Sequence, residues 1–128
     1  MRYTRADFRY RLHERRLPGT PDLVLPRYHA AVFFHGCFWH GHDCRYGVTP
    51  ATNTAFWLEK IERNQARDRN TKNQLLELGW RVLTVWECSF RGVGRRRPEE
   101  VAGAVADFLC FGGSTATICS QRVPEITE

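Results

Sequence analysis

Ten consecutive residues, His35-Gly36-Cys37-Phe38-Trp39-His40-Gly41-His42-Asp43-Cys44, carry three histidines and two cysteines directly after the apolar, strand-like run Ala30-Ala31-Val32-Phe33-Phe34. No packing requirement accounts for that density of soft metal ligands. Zinc takes thiolate and neutral imidazole in tetrahedral sets of four, and Cys37, His42 and Cys44 can supply three of them from one tight turn. The fourth is expected from Cys88, at the end of the strand-like run Trp80 to Glu87, because a neighbouring strand brings its end beside this loop. A closed Cys3His site leaves His35 and His40 unspent. A zinc ion saturated by protein ligands has no open position with which to activate water, so its part is to fix the loop that presents those two histidines. The bland alternative, buried thiols and backbone-bonded histidines, has to treat the whole window as coincidence.

A chain of 128 residues with 42% hydrophobic content is expected to form one domain around one core. No apolar stretch approaches bilayer length, and Met1 to Asp7 lack the hydrophobic segment of a signal peptide, so a cytoplasmic location is expected. Five cysteines is an odd number, and a reducing compartment favours metal ligation over disulfides. Cys110 and Cys119 then read as a buried thiol and a tail thiol with no assigned chemistry. The net charge is +5, and 17 of the 19 basic residues are arginine, which favours a polyanionic partner. Arginine binds phosphate in a bidentate fork and stacks on bases, which lysine does not. Clusters at Arg9/Arg11/Arg15/Arg16, Arg63/Arg67/Arg69 and Arg91/Arg95/Arg96/Arg97 could track a nucleic-acid backbone. On charge alone, an arginine-biased genome explains them equally well.

Leu17-Pro18-Gly19-Thr20-Pro21 is a turn signal handing over to a short strand, Asp22 to Leu25, with its acid at the mouth. Pro26-Arg27-Tyr28 turns the chain into a second strand, about His29 to Phe34, at the distance of an antiparallel hairpin. From Thr52 or Thr54 to Leu78 the chain reads helical, with a Thr/Asn cap, a stop at Gly79 and room for a break near Arg69-Asn70. Trp57, Ile61, Asn64 and Asp68 recur on one face, apolar first and polar later, so one end of that face can border a site. A strand from Trp80 to Glu87, an Arg/Gly-rich loop from Cys88 to Arg97, and a helix from Pro98 to about Phe111 follow. Val101, Val105, Phe108 and Leu109 form the inward side of that helix. Residues beyond Gly112-Gly113 are expected to be peripheral.

Metal-dependent phosphodiester hydrolysis needs a carboxylate to hold Mg2+, a polarised water and a group to accept its proton. Asp22 can hold the ion, with the main-chain oxygen of Phe34 as a hard ligand beside it. His40 is suited to act as the base, Asp68 to orient it, and His35 to contact the phosphate or leaving oxygen. Taken singly, Asp22 reads as a turn residue and His35 as structural; the combination carries the argument. Phe38 and Trp39 lie in the loop itself, where aromatic residues of a basic protein suggest wedging into a base step. Burial over the metal loop is the competing reading for both, and the core for Trp57.

The stretches LPGTPDLVL, FFHGCFWHGHDC, FWLEKIERNQARDRN and LELGWRVLTVWEC resemble the very short patch repair endonucleases of bacteria, within the restriction-endonuclease-like superfamily. The resemblance runs from about Phe8 to Phe111. It implies an α/β fold with a central mixed β-sheet flanked by α-helices and a structural zinc loop, read as a single nuclease domain over residues 1–128, with a core at 8–111 and a peripheral tail at 112–128. It also implies an Mg2+-dependent endonuclease that nicks one strand beside the T of a T:G mismatch left by deamination of 5-methylcytosine. Under the resemblance Asp22 matches the Mg2+-binding aspartate, Phe34 the residue whose main-chain oxygen binds metal, His35 and His40 the active-site histidines, and Asp68 the acid paired with His40. Cys37, His42, Cys44 and Cys88 match the structural zinc ligands. Phe38, Trp39 and Trp57 match the intercalating aromatics, which revises Trp57 from core to wedge, and Asn64 is taken with them as a DNA contact. The expected partner is double-stranded DNA with a T:G mismatch, with mismatch-repair proteins as candidate partners, no membrane, and a monomer as the expected state. Family members carry an N-terminal arm and first helix, with a glutamate at the metal site, that this sequence is expected to lack; Glu14 does not fall in its place. The alternative is a shortened, non-catalytic, zinc-stabilised binder of mismatched or distorted DNA.

Overall fold

The structure, a computed structural model, describes residues 10–121. Arg9 of the first arginine cluster lies outside the described residues, as does the segment Met1 to Asp7. The elements in chain order are β1 (Arg11–Leu12), β2 (Leu23–Leu25), β3 (Ala30–His35), α1 (Thr54–Glu77), β4 (Arg81–Trp86), α2 (Pro98–Phe111) and β5 (Thr115–Ile118). The strands form one mixed sheet in the order β1-β2-β3-β4-β5, antiparallel between β1, β2 and β3 and parallel between β3, β4 and β5.

The continuous apolar run of β3 reflects its central place, since a strand covered on both faces has no polar side to show. Ala30, Ala31 and Val32 are wholly buried. Alternation then sorts neighbours to two faces. Ala30 and Val32 join Leu83, Val85 and Ile118 under Val101, Phe108 and Leu109 of α2. Ala31, Phe33 and Val82 pack instead with Leu75 of α1. Helices therefore cover both faces, the restriction-endonuclease-like arrangement of a mixed sheet.

Register decides which side chains meet at the ends of the strands. His35 lies opposite Trp86 across the β3–β4 ladder. Leu23 lies opposite Val32 in the β2–β3 hairpin, which carries Asp22 to the level of the last residues of β3. Asp22 and His35 thus converge although thirteen positions separate them in sequence.

Four expectations change. Residues beyond Gly113 are not merely peripheral: β5 pairs with β4, and Ile118 is buried in the core with Ala116 packed beside it, because alternation turns these two inward and leaves Thr115 and Thr117 outward. There is no break near Arg69-Asn70; α1 runs unbroken for 24 residues through that point, which holds neither Pro nor Gly to interrupt its intrahelical bonds. Asn53 occupies the cap position in a left-handed conformation without a side-chain cap, while the Thr54 hydroxyl donates back to the carbonyls of Pro50 and Ala51 at 2.9 and 3.0 Å. Cys110, expected to be buried, is only half-buried, since it falls to the side of the α2 stripe formed by Val101, Phe108 and Leu109.

Arg81 closes the far end of the molecule from His35. Its guanidinium donates to the carbonyls of Phe108, Leu109, Gly112 and Gly113 at the end of α2 and to that of Tyr28, and lies 4.4 Å from the centre of the Phe108 ring. The last carbonyls of a helix have no intrahelical partners, and a cation there also complements the helix dipole.

Candidate active site

The loop after β3 is folded by its own backbone. His42 N–H donates to the Cys37 carbonyl at 2.9 Å, and Cys44 N–H to that of His42 at 2.8 Å. Gly41 adopts φ 62° against α1, where any Cβ would collide with Ile61 and Gln65, and the Gln65 amide donates to the carbonyls of His40 and Gly41 at 3.3 Å each. The Asn64 amide likewise donates to the Trp39 carbonyl at 2.8 Å. The polar part of the α1 stripe is therefore the support on which the loop rests.

This folding gathers Cys37, His42, Cys44 and Cys88, whose ligand atoms all lie within 4.8 Å of one another. Cys88 Sγ stands 3.7 Å from His42 Nδ1. The edge of a zinc tetrahedron between sulfur and nitrogen is about 3.6 Å from ordinary bond lengths, so the donor set fits a metal ion of that kind. Cys37 and Cys88 are buried. Burial pushes the Cys37 thiol up to about 12. Burial also opposes ionisation of Cys88, but hydrogen bonds from Ser120 and the neighbouring thiols outweigh it and lower its value. The Ser120 main-chain N–H donates to Cys88 Sγ at 3.3 Å, which ties the segment after β5 to the cluster.

Beside this cluster, a cleft of about 380 Å³ is lined by Asp22, His35, His40, Asp68 and Trp86. His40 Nδ1 lies 2.5 Å from Asp68 Oδ2. A neutral His40 therefore carries its proton on Nδ1, and Nε2 keeps the lone pair. The rings of His35 and His40 stack in parallel, 3.9 Å between centres and 3° apart. Burial, and secondarily the neighbouring His40, push His35 down to about 4, so it is neutral at pH 7. Although His35, His40 and Asp68 lie close enough to be weighed as metal ligands, face-to-face imidazoles present their nitrogens side by side rather than converging on one ion.

Asp22 Oδ2 accepts the Phe34 N–H at 2.8 Å, and Oδ1 lies 3.8 Å from His13 Nδ1. The carboxylate therefore abuts the main chain at the end of β3, the segment that carries the Phe34 carbonyl. Arg67, Arg69 and Lys72 also line the cleft, without an ion-pair partner among the described residues. Several other arginines are engaged internally: Arg63 with Glu59, Arg91 with Glu87 and over the Tyr46 ring, and Arg96 and Arg97 with Glu100.

Phe38, Trp39 and Trp57 form an edge-to-face trio, with ring centres 5.1, 5.4 and 5.9 Å apart. Trp39 is 47% exposed, and Trp57 is half-buried against it rather than in the core. Lys60 Nζ lies 5.2 Å from the Trp39 ring centre and 5.8 Å from that of Trp57. Residues that sequence reasoning passed over include Gln65, Lys60 and Trp86. Gln65 and Lys60 lie one position from Asn64 and Ile61 of the named stripe, which is the signal that could have found them. In the sequence Trp86 carries only the signal of a strand residue.

Similar proteins identify the family. Residues 3–46 match the family model described as DNA mismatch endonuclease Vsr. The chain is 45% identical over 114 residues to the DNA mismatch endonuclease Vsr of Escherichia coli, covering 89% of this chain and 73% of that protein. It is 49% identical over 102 residues to the type II nicking enzyme V.NmeAIP of Neisseria meningitidis, covering 78% of this chain and 73% of the relative. With the type II nicking enzyme V.XorIIP of Xanthomonas oryzae pv. oryzae it shares 48% over 87 residues, 68% of this chain and 64% of the relative. Similarity at that level over most of both chains makes this protein a member of the Vsr family of DNA mismatch endonucleases.

Proposed function

We propose that this chain is a DNA endonuclease that nicks one strand beside the T of a T:G mismatch, by Mg2+-dependent phosphodiester hydrolysis, with residues 1–128 acting as a single nuclease domain. The observation that carries the reading is the His40–Asp68 contact at 2.5 Å, stacked on His35 in the cleft that also holds the Asp22 carboxylate. A base oriented by an acid, a second imidazole and a further carboxylate at one point is the equipment of hydrolysis at phosphorus. The family membership and the relatives named as nicking enzymes support the same reading.

In this mechanism Asp22 and the Phe34 carbonyl would hold Mg2+, which when bound polarises the phosphate and lowers the barrier to attack. His40 takes the proton of the attacking water at Nε2, and Asp68 stabilises the resulting imidazolium through Nδ1. His35, neutral at pH 7, offers a ring N–H to a phosphate oxygen. Arg67, Arg69 and Lys72 hold the DNA backbone along the cleft. Cys37, His42, Cys44 and Cys88 would hold Zn2+, which fixes the loop carrying His40. Phe38, Trp39 and Trp57 wedge into the distorted step, with Asn64 holding Trp39 from behind.

The test is to incubate the chain with Mg2+ and duplexes differing only in a T:G mismatch or a paired T:A. A single-strand nick confined to the mismatched duplex is expected. Equal cutting of both would remove the mismatch from the proposal, and tight binding without cutting would reduce the protein to a recognition module.

A further inference from the structure

Trp86 touches both clusters. Its indole lies parallel to the His42 imidazole, 4.2 Å between ring centres and 13° apart. The same indole stands edge-on to His35, at 5.3 Å and 74°, and to His40, at 6.2 Å and 71°. His35 and His40 are themselves parallel, so one indole plane sets the wall against which both imidazoles stand. The ladder partner of Trp86 is His35, which places the indole at the last paired position of β4, one residue before the turn that carries Cys88.

We propose that Trp86 is a positioning residue that couples metal occupancy of the four-ligand cluster to the placement of His35 and His40. The inference rests on the reading of that cluster as a zinc site. The physical link is the electron distribution of the stacked rings. An imidazole that donates its lone pair to a dication becomes electron-poor, and an electron-poor ring is drawn to the electron-rich face of an indole. Zinc at His42 therefore tightens the His42–Trp86 stack and fixes the indole, which in turn holds the edges of His35 and His40. Asp68 holds His40 on the other side. Coupling of this kind is reciprocal, so an intact indole must also strengthen zinc binding.

The experiment compares the full chain with Trp86→Phe and Trp86→Leu. Zinc affinity is measured by competition with a chelating indicator, and the imidazole signals of His35 and His40 are followed by NMR with and without zinc. Affinity should fall by about threefold in Trp86→Phe and about tenfold in Trp86→Leu, following the electron density of the stacked group. Zinc should shift the His35 and His40 signals in the wild type, less in Trp86→Phe, and least in Trp86→Leu. If Trp86→Leu fails to fold, the wild-type to Phe difference carries the test. Unchanged affinity together with unchanged zinc-induced shifts overturns the coupling alone. A wild-type chain that takes up no zinc overturns the zinc reading, and the coupling with it.

Discussion

The Asp22 carboxylate accepts the main-chain N–H of Phe34 at 2.8 Å across the β2–β3 hairpin. That bond orients the carboxylate but does not require its charge, which allows the two to be separated. Asp22→Asn keeps an oxygen acceptor for the Phe34 N–H and loses the charge that would hold Mg2+. Nicking should fall by at least about a hundredfold in Asp22→Asn with thermal stability and zinc content unchanged. Activity retained in that variant would remove Asp22 from the metal site.

Asp68 Oδ2 lies 2.5 Å from His40 Nδ1 and in the proposed mechanism orients that base. Asp68→Asn preserves shape but favours the wrong tautomer, and removal of the acid behind a catalytic imidazole lowers turnover by about 10²–10⁴-fold. The loss should appear in the rate of nicking at saturating DNA and leave the affinity for mismatched duplex nearly unchanged, as single-turnover kinetics would read directly.

Cys88 closes the four-ligand set from a different part of the chain. Cys88→Ser should therefore lose zinc and lower the melting temperature together, because structural zinc contributes roughly 10 kcal/mol or more of apparent binding energy coupled to folding. The buried thiol of Cys37, held up to about 12, must give up its proton to bind. Zinc uptake should therefore release protons and strengthen as pH rises. Full zinc occupancy in Cys88→Ser would exclude it as a ligand.

His35 is held neutral, its value pushed down from 6.5 to about 4 by burial and then by His40, against the opposing charges of Asp68 and Asp22. Between those two values the unfolded chain binds the proton and the folded chain does not. The resulting stability is complete above pH 6.5 and is lost as pH falls toward 4. With solvent screening allowed for, it is on the order of 1–2 kcal/mol. Urea midpoints of the metal-free protein at pH 7 and 4.5 should differ less in His35→Gln than in the wild type.

Arg81→Met keeps the length of the side chain and removes its donors from the end of α2. Leaving those carbonyls without partners should destabilise the domain by about 2–3 kcal/mol. Nicking per folded molecule should be unaffected at a temperature well below the transition, since Arg81 lies at the opposite end of β4 from Trp86.

Where a residue type and a local pattern agreed, the chain was legible before its fold. The apolar run of β3, the Pro98 start of α2, and the four soft donors all signal themselves locally, and the structure brings those donors together. The pairing of His40 with Asp68 was readable only as a pattern, a polar end to an otherwise apolar stripe. β1 was missed because two residues carry no periodicity. The roles of Trp86 and Arg81 were invisible because both look like ordinary members of a half-buried strand. Their partners come from the metal loop and from the end of α2, and only tertiary register brings them near.

Trp57, Ile61, Asn64 and Asp68 share one side of a helix that runs without a break from Thr54 to Glu77. Eleven residues separate the aromatic end of that side from its acid, about 16 Å along the axis. The helix is thus a ruler: one mark is where bases would be pried apart and the other is where the base His40 is held. Under the proposed function, helical length would set where the strand is cut relative to the lesion. One residue inserted between Ile61 and Asn64 would turn the two marks about 100° out of alignment, so that the loop could no longer rest on Asn64 and Gln65 while its aromatic rings meet Trp57.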